Sequence, residues 1–184
     1  LKRWLRRPLG IGSVTPSSQA LGRAMARTAL AGLPADSIVV ELGAGTGSIT
    51  RALLAAGVPE RSLVPVELDG ELHAYLQRTF PSLRLLQGDA ARLPDLLVAH
   101  NVAPVGAVVS GLPLLAMPGP VVEAIVTGVA SVLPPGGALV QFTYGPKSPV
   151  PPELLRRLHL EPSRGRRIWT NLPPAVVWRF VRQR

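Results

Sequence analysis

Residues 39–47 read Val39-Val40-Glu41-Leu42-Gly43-Ala44-Gly45-Thr46-Gly47. A β-branched run leads into an acid and then into glycines at alternate positions. Ile49, Leu53 and Leu54 follow at helical spacing. This is the pattern of a strand, a tight turn and a helix start, and the glycines let a ligand come close to the turn's backbone. The spacing is E-x-G-x-G-x-G and not the G-x-G-x-x-G of dinucleotide folds. A carboxylate just before the turn, Glu41, would repel a pyrophosphate and attract a cationic ligand.

Outward from this stretch the chain alternates strand and helix. The patterns predict strands over 38–42, 62–67, 83–87, 105–110 and 138–144, and helices over 46–56, 70–79 and 120–133. An earlier helix starts near Ser17 or Ser18, carries Leu21, Met25 and Ala29 on one face and ends at Gly32 and Pro34. Repeated βα units with apolar strands mean a parallel sheet covered on both faces. Residues 158–170 and 175–182 lack helical periodicity and read as an antiparallel hairpin joined by Asn171-Leu172-Pro173-Pro174. The prolines at 146, 149, 151 and 152 mark a long loop.

The 184 residues suffice for one domain with a sizeable core. Apolar residues make up 47% and mean hydropathy is +0.27, which excludes a disordered chain. No apolar run is long enough for a transmembrane helix, and no secretory signal is visible. With no Cys there is neither a disulfide framework nor a thiolate metal site, and His73, His100 and His159 lack ligand spacing, so no metal is expected.

The net charge of +9 is concentrated at the two ends. Lys2, Arg3, Arg6, Arg7, Arg23 and Arg27 are met by no acid before residue 28, and eight arginines after residue 155 are met by Glu161 alone. Such asymmetry suggests an anionic partner, nucleic acid or membrane. Residues 1–9 read as a short basic helix with Leu1, Trp4 and Leu5 on one face. A Trp beside Lys2, Arg3, Arg6 and Arg7 is the composition of an interfacial helix, each cation contributing about 1 kcal/mol at an anionic surface. The chain therefore divides into a basic, membrane-contacting and lid portion, 1–31, and a catalytic portion, 32–184, within one compact unit.

Polar features stand at successive strand ends. Glu67 ends the second strand, where an acid can accept hydrogen bonds from ribose hydroxyls. Asp89 ends the third, in Gln87-Gly88-Asp89-Ala90, placed to receive an adenine amino group. Ser110 ends the fourth, at the carboxyl edge where open α/β sheets bind ligands. Each alone is an ordinary turn or cap residue. In this order they resemble the class I, Rossmann-like methyltransferases. That resemblance implies a mostly parallel seven-stranded sheet with helices on both faces, a C-terminal antiparallel hairpin and an N-terminal amphipathic helix. It also implies S-adenosylmethionine as cofactor and S-adenosylhomocysteine as product, held by Glu41, Gly43, Ala44, Gly45, Gly47, Glu67, Leu68, Asp89, Ala90 and Ser110.

Within that fold the chain resembles two groups. The ribosomal RNA adenine dimethyltransferases share the glycine turn, the acid after strand two and Gly-Asp-Ala, but carry Asn-Leu-Pro-Tyr after strand four. There the ring stacks on a flipped base. Here the loop reads Ser110-Gly111-Leu112-Pro113-Leu114-Leu115, without the Asn and with Leu in place of the ring. The closer resemblance is to the small bacterial phospholipid N-methyltransferases that convert phosphatidylethanolamine to phosphatidylcholine. It runs through Gly12-Ser13-Val14-Thr15-Pro16-Ser17-Ser18, the glycine turn, and Val109-Ser110-Gly111-Leu112-Pro113-Leu114. It continues through Gln141-Phe142-Thr143-Tyr144-Gly145-Pro146 and Asn171-Leu172-Pro173-Pro174-Ala175-Val176-Val177-Trp178.

That second resemblance implies methylation of a lipid amine at a membrane surface. The enzyme would be a monomer in the cytoplasm, held peripherally on the inner face of the cytoplasmic membrane, with no nucleic acid partner. The alternatives are an RNA adenine N6-methyltransferase and a non-catalytic basic module that binds membrane or nucleic acid. Tyr144, after strand five, is the best-placed catalytic hydroxyl, able to orient the amine or to meet methylammonium charge through its ring. His159, between two leucines, is the rival base. Ser17 and Ser18, at a helix N-terminus, and Arg164, Arg166 and Arg167 are candidate phosphate ligands.

Overall fold

The computed structural model describes residues 19–34, 36–145 and 147–184. The proposed interfacial helix with Lys2, Arg3, Trp4, Arg6 and Arg7, and the candidate ligands Ser17 and Ser18, lie outside the described residues.

Five strands run in the sequence order that the apolar patterns predict: β1 (Ile38–Leu42), β2 (Leu63–Glu67), β3 (Leu86–Gln87), β4 (Val105–Ser110) and β5 (Ala138–Thr143). They pair in parallel, and β6 (Leu160–Ile168) and β7 (Ala175–Arg182) close the sheet as an antiparallel hairpin, in the order β3-β2-β1-β4-β5-β7-β6. This is the seven-stranded, Rossmann-like arrangement that the sequence suggests. The chain leaves β1 toward β2 on one side and returns to β4 on the other. The carboxyl ends of β1 and β4 therefore flank a topological switch point, where such sheets bind ligands.

The two faces of the sheet bury different helices. On one face α1 (Gln19–Leu30) lays Leu21, Met25, Ala26 and Ala29 over Val109, Val140 and Val177, beside α2 (Ser48–Ala55) with Ile49 and Leu53. Each large aliphatic side chain removed from water in this way contributes about 1.5–3 kcal/mol. On the other face α4 (Leu93–Ala99), α5 (Gly119–Val132) and α6 (Pro152–Arg157) cover Val40, Val64, Val108, Leu139 and Phe180. The remaining helix, α3 (Gly70–Thr79), follows β2, capped by Asp69, whose side chain accepts the N–H groups of Glu71 and Leu72.

Several sequence expectations are corrected. The helix expected over 46–56 begins at Ser48, because Gly45 and Gly47 take left-handed φ of 56° and 79° and cannot start a helical turn. The third strand shortens from 83–87 to Leu86–Gln87, so Asp89 stands beyond its end and caps a 3-10 turn by accepting the Ala91 N–H. The patterns assign no helix to 93–99, yet α4 forms there with Pro94 in its first turn and Leu93 and Leu97 buried. The long proline loop holds α6, with Pro152 and Glu153 at its start and Arg156 and Arg157 in its last turn, where they suit the helix dipole. Arg157 also pairs with Glu123 and ties α6 to α5.

Candidate active site

The glycine turn is held from below by the neighbouring strand. Gly43 and Ala44 both donate to the Val66 carbonyl, at 2.9 and 3.3 Å, and Gly47 donates to Ala44 O at 2.8 Å. Gly43 has a φ of 69°, and a Cβ there would stand 2.5 Å from Leu112 Cδ2. Gly45 differs: apart from Gly43 O at 4.0 Å, the space where its Cβ would lie is open. That opening is the close backbone approach expected of a ligand cradle.

Glu67 ends β2 and binds the turn directly. Its Oε2 accepts the Gly45 N–H at 2.8 Å and its Oε1 accepts the Asp69 N–H at 2.9 Å. Glu67, Leu68, Asp89, Ala90 and Gly43 line one cavity at the carboxyl edge, closed on its far side by Leu112, Met117, Val121 and Ile125. An acid beside apolar walls is the lining chemistry that an adenosine would need. The apolar wall escapes sequence reading, because Val121 and Ile125 repeat with the core face of α5 and nothing local separates a pocket wall from core.

Glu41 lies at the base of the turn. It is fully buried, and its Oε2 accepts the Thr50 hydroxyl at 2.7 Å. Burial, with a smaller push from the Glu67 charge, raises its pKa to about 8 despite that hydrogen bond. Burial thus favours the protonated carboxyl near neutral pH, so the charge attraction expected from the sequence depends on what approaches Glu41. Its Oε1 has no partner among the described residues. A ligand ammonium within reach would restore the charge.

Ser110 is buried as well, and its hydroxyl accepts the Leu112 N–H at 3.3 Å, so it shapes the following loop rather than opening onto the cavity. That loop lies against the glycine turn: Gly111 donates to Leu42 O at 2.8 Å. Gln141, buried next to Ser110 on β5, donates to Leu112 O at 2.8 Å and fixes the loop from the other side. Leu114 is buried in the core and Leu115 is exposed.

Tyr144 follows β5, edge-on to Phe142 with ring centroids 5.4 Å apart. Partial burial raises its pKa, and a hydrogen bond with the Asn171 side chain pulls the other way. Asn171, buried in the β6–β7 connection, donates to Pro173 O at 2.7 Å. Sequence reading treats Asn171 as a turn residue, and only the hairpin's return brings it to Tyr144. Leu115 closes the same corner, with its Cδ1 3.8 Å from where a Gly145 Cβ would stand.

The arginines do not join this cluster. Arg164, Arg166 and Arg167 lie on β6, the outer strand, three strand spacings from β4, or about 14 Å. His159, the rival base, precedes β6 at the opposite end of the sheet, with a φ of 52°.

A family model described as a methyltransferase domain matches residues 39–137, from β1 to the turn before β5. The chain belongs to this methyltransferase domain family. The matched part of the methyltransferase domain contains the glycine turn, Glu67, Asp89 and Ser110. Among curated proteins, the domain is 30% identical over 123 residues to an ornithine lipid N-methyltransferase of Singulisphaera acidiphila, covering 64% of this chain and 62% of that protein. It is 46% identical over 59 residues to a ribosomal RNA small subunit methyltransferase A of a Synechococcus species, covering 30% of this chain and 20% of that one. The chain thus spans less than two thirds of the length of either relative. A crystal structure of the 1,6-didemethyltoxoflavin-N1-methyltransferase of Burkholderia thailandensis, bound to S-adenosylhomocysteine, superposes with a TM-score of 0.67 at 17% identity over 91% of this chain and 80% of that one. That likeness carries the fold.

S-adenosylmethionine, the cofactor expected from the sequence, fits the methyltransferase domain's cradle. The open face of Gly45 leaves room beside the turn, Glu67 stands ready for hydroxyl donors, and the unpaired Glu41 Oε1 is a buried polar atom at the base of the turn that would accept once its carboxyl is ionised.

Proposed function

We propose that this protein is an S-adenosylmethionine-dependent N-methyltransferase acting on the amine headgroup of a membrane lipid, with phosphatidylethanolamine as the first substrate to test. The observation that carries the reading is the acceptor side of the site. Where an RNA adenine enzyme places an Asn and a stacking ring, this chain has a backbone-tight Gly111, a buried Leu114 and an exposed Leu115. A flipped base would find neither a ring nor a side-chain amide on that loop. The similarity to an ornithine lipid N-methyltransferase supports the same class of acceptor.

When bound, the cofactor supplies a methyl group on a sulfonium, ready for transfer to a nucleophile. The chain's own residues do the rest. Glu67 and the glycine turn would hold the ribose, and Leu112, Met117 and Val121 would keep water from the adenine ring. The Tyr144 hydroxyl stands beside the end of β5 with its pKa raised, so it stays neutral and orients an amine by hydrogen bonding, rather than taking its proton. Water at the exposed edge takes the proton the ammonium must lose.

No helix among the described residues is long and apolar enough to cross a membrane. A peripheral position on the inner face of the cytoplasmic membrane agrees with an insoluble substrate and a soluble cofactor. The test is methyl transfer from labelled cofactor, offered in parallel to vesicles containing phosphatidylethanolamine, to vesicles containing ornithine lipid, and to ribosomal RNA. Label in a lipid fraction is expected, and the labelled lipid names the acceptor. Label confined to RNA overturns the proposal.

A further inference from the structure

Four large apolar side chains stand exposed near one corner of the carboxyl edge. Leu172 is 82% exposed, Trp169 71%, Leu115 57% and Tyr144 46%. The register explains why they gather. Thr143 at the end of β5 pairs with Val176, and Ile168 at the end of β6 pairs with Ala175. The 169–174 connection therefore rises from the same edge as the ends of β4 and β5. Trp169 and Leu172 stand on that connection, Tyr144 follows β5 and Leu115 lies on the loop after β4.

The same hairpin carries the basic charge. Arg164, Arg166 and Arg167 are exposed on β6, and the Arg167 guanidinium sits 5.0 Å from the Trp169 ring centroid. Charges on an edge strand also discourage pairing with another sheet. That role does not account for a Trp and a Leu left in water at the tip beside them. An exposed aromatic and an aliphatic tip flanked by arginines match the boundary of an anionic bilayer, where apolar groups enter the acyl region and guanidinium groups meet phosphates. Arg167 lies level with Thr143 across β7, so the hairpin's guanidinium groups stand beside the end of β5 and within reach of lipid phosphates at this corner.

We propose that the β6–β7 hairpin is a docking surface for an anionic membrane: Trp169 and Leu172 enter the headgroup–acyl boundary, Arg164, Arg166 and Arg167 bind lipid phosphates, and the Tyr144 corner is turned to the bilayer. This rests on the reading of the acceptor as a membrane lipid. It gives that site its orientation, since docking by the hairpin brings headgroups to the carboxyl edge.

The experiment is flotation of the full chain with vesicles of phosphatidylglycerol and phosphatidylcholine, which hold no amine that can be methylated. Two double variants are compared with the parent, W169S/L172S and R166E/R167E. Each is expected to lose vesicle affinity by on the order of tenfold or more. Affinity for S-adenosylhomocysteine by calorimetry should stay unchanged, which shows that the fold and the cofactor site are intact. The parent's binding should weaken with salt. Parent-like flotation of both variants overturns the proposal, as does a parent that ignores these vesicles. So does a parent that binds RNA through the hairpin, losing RNA and not vesicles in both variants. Methyl transfer to phosphatidylethanolamine dispersed in detergent is measured separately. A failure there counts against the lipid acceptor, whereas a failure of flotation with intact transfer counts against the docking surface alone.

Discussion

The Glu67 carboxylate accepts the backbone N–H of Gly45 at 2.8 Å, joining the end of β2 to the centre of the glycine turn. With its other oxygen on the Asp69 N–H, one side chain fixes both the turn and the start of α3. The cradle is therefore shaped before any ligand arrives, and the carboxylate keeps lone pairs for hydroxyl donors.

Glu67→Ala should weaken S-adenosylhomocysteine binding by on the order of 10- to 100-fold, since hydrogen bonds to a charged group contribute about 1.5–3 kcal/mol. Calorimetry reads the affinity directly. An unchanged value would place the ribose elsewhere.

Glu41 sets a pH dependence of stability. Its folded pKa of about 8 exceeds the ordinary 4.5, so between those values the folded chain holds a proton that the unfolded chain has lost. Stability contributed by this group is therefore full below the lower value and falls as pH rises toward the upper one. Urea unfolding between pH 5 and 8 should show a loss on the order of a few kcal/mol, and Glu41→Gln should flatten the curve. Parallel curves for the two chains would refute the assignment.

Thr50→Val removes the hydroxyl that Glu41 accepts and leaves a second buried carboxyl oxygen unpaired. The expected cost is about 1–3 kcal/mol, greater at pH 8 than at pH 5 because the ionised form loses most. Thermal unfolding at both pH values checks it.

Gly111→Ala should damage the turn from the opposite side. The added Cβ would lie 2.9 Å from Gly43 O and 3.4 Å from Leu42 O, both backbone atoms that cannot swing away. A loss of about 1–3 kcal/mol is expected, with weaker cofactor binding because Gly43 must shift. If the variant melts with the parent and binds cofactor equally well, the loop and turn are looser than described.

Tyr144→Phe keeps the ring against Phe142 and deletes the hydroxyl that meets Asn171. As an orienting group its loss should lower kcat by on the order of tenfold with the shape of the pH profile retained. Loss of an entire limb of that profile would instead identify the hydroxyl as a proton acceptor.

Most of the fold was legible in the sequence because its signals are local. The run of apolar residues from Ile38 to Leu42, the alternate glycines and the helical repeats of α1, α3 and α5 each report the conformation of their own segment, and the repeated βα order then implies a parallel sheet. The acids Glu41 and Glu67 near the ends of β1 and β2, and Asp89 just past β3, were legible for the same reason. Two short helices were not: seven residues of α4 and six of α6 span too few turns for a repeat to stand out, and the proline run that reads as a loop holds Pro152 at a helix start.

Groups that meet across the sheet could be placed only by the folded chain. The protonation of Glu41 depends on how much protein covers it, which no neighbour in sequence reports. Asn171 reaches Tyr144, and Trp169 and Leu172 rise beside the acceptor corner, because β7 runs antiparallel to β5 and returns the hairpin to the carboxyl edge. Arg164 and Arg166, candidate phosphate ligands from the sequence, stand three strands from β4, because sheet order and not sequence distance sets that separation. The strands, the turn and the acids of the cradle follow from backbone preference and apolar period, which are local properties of the chain. The charge state of the site and the company its residues keep were left to burial and register, which exist only once the sheet has closed.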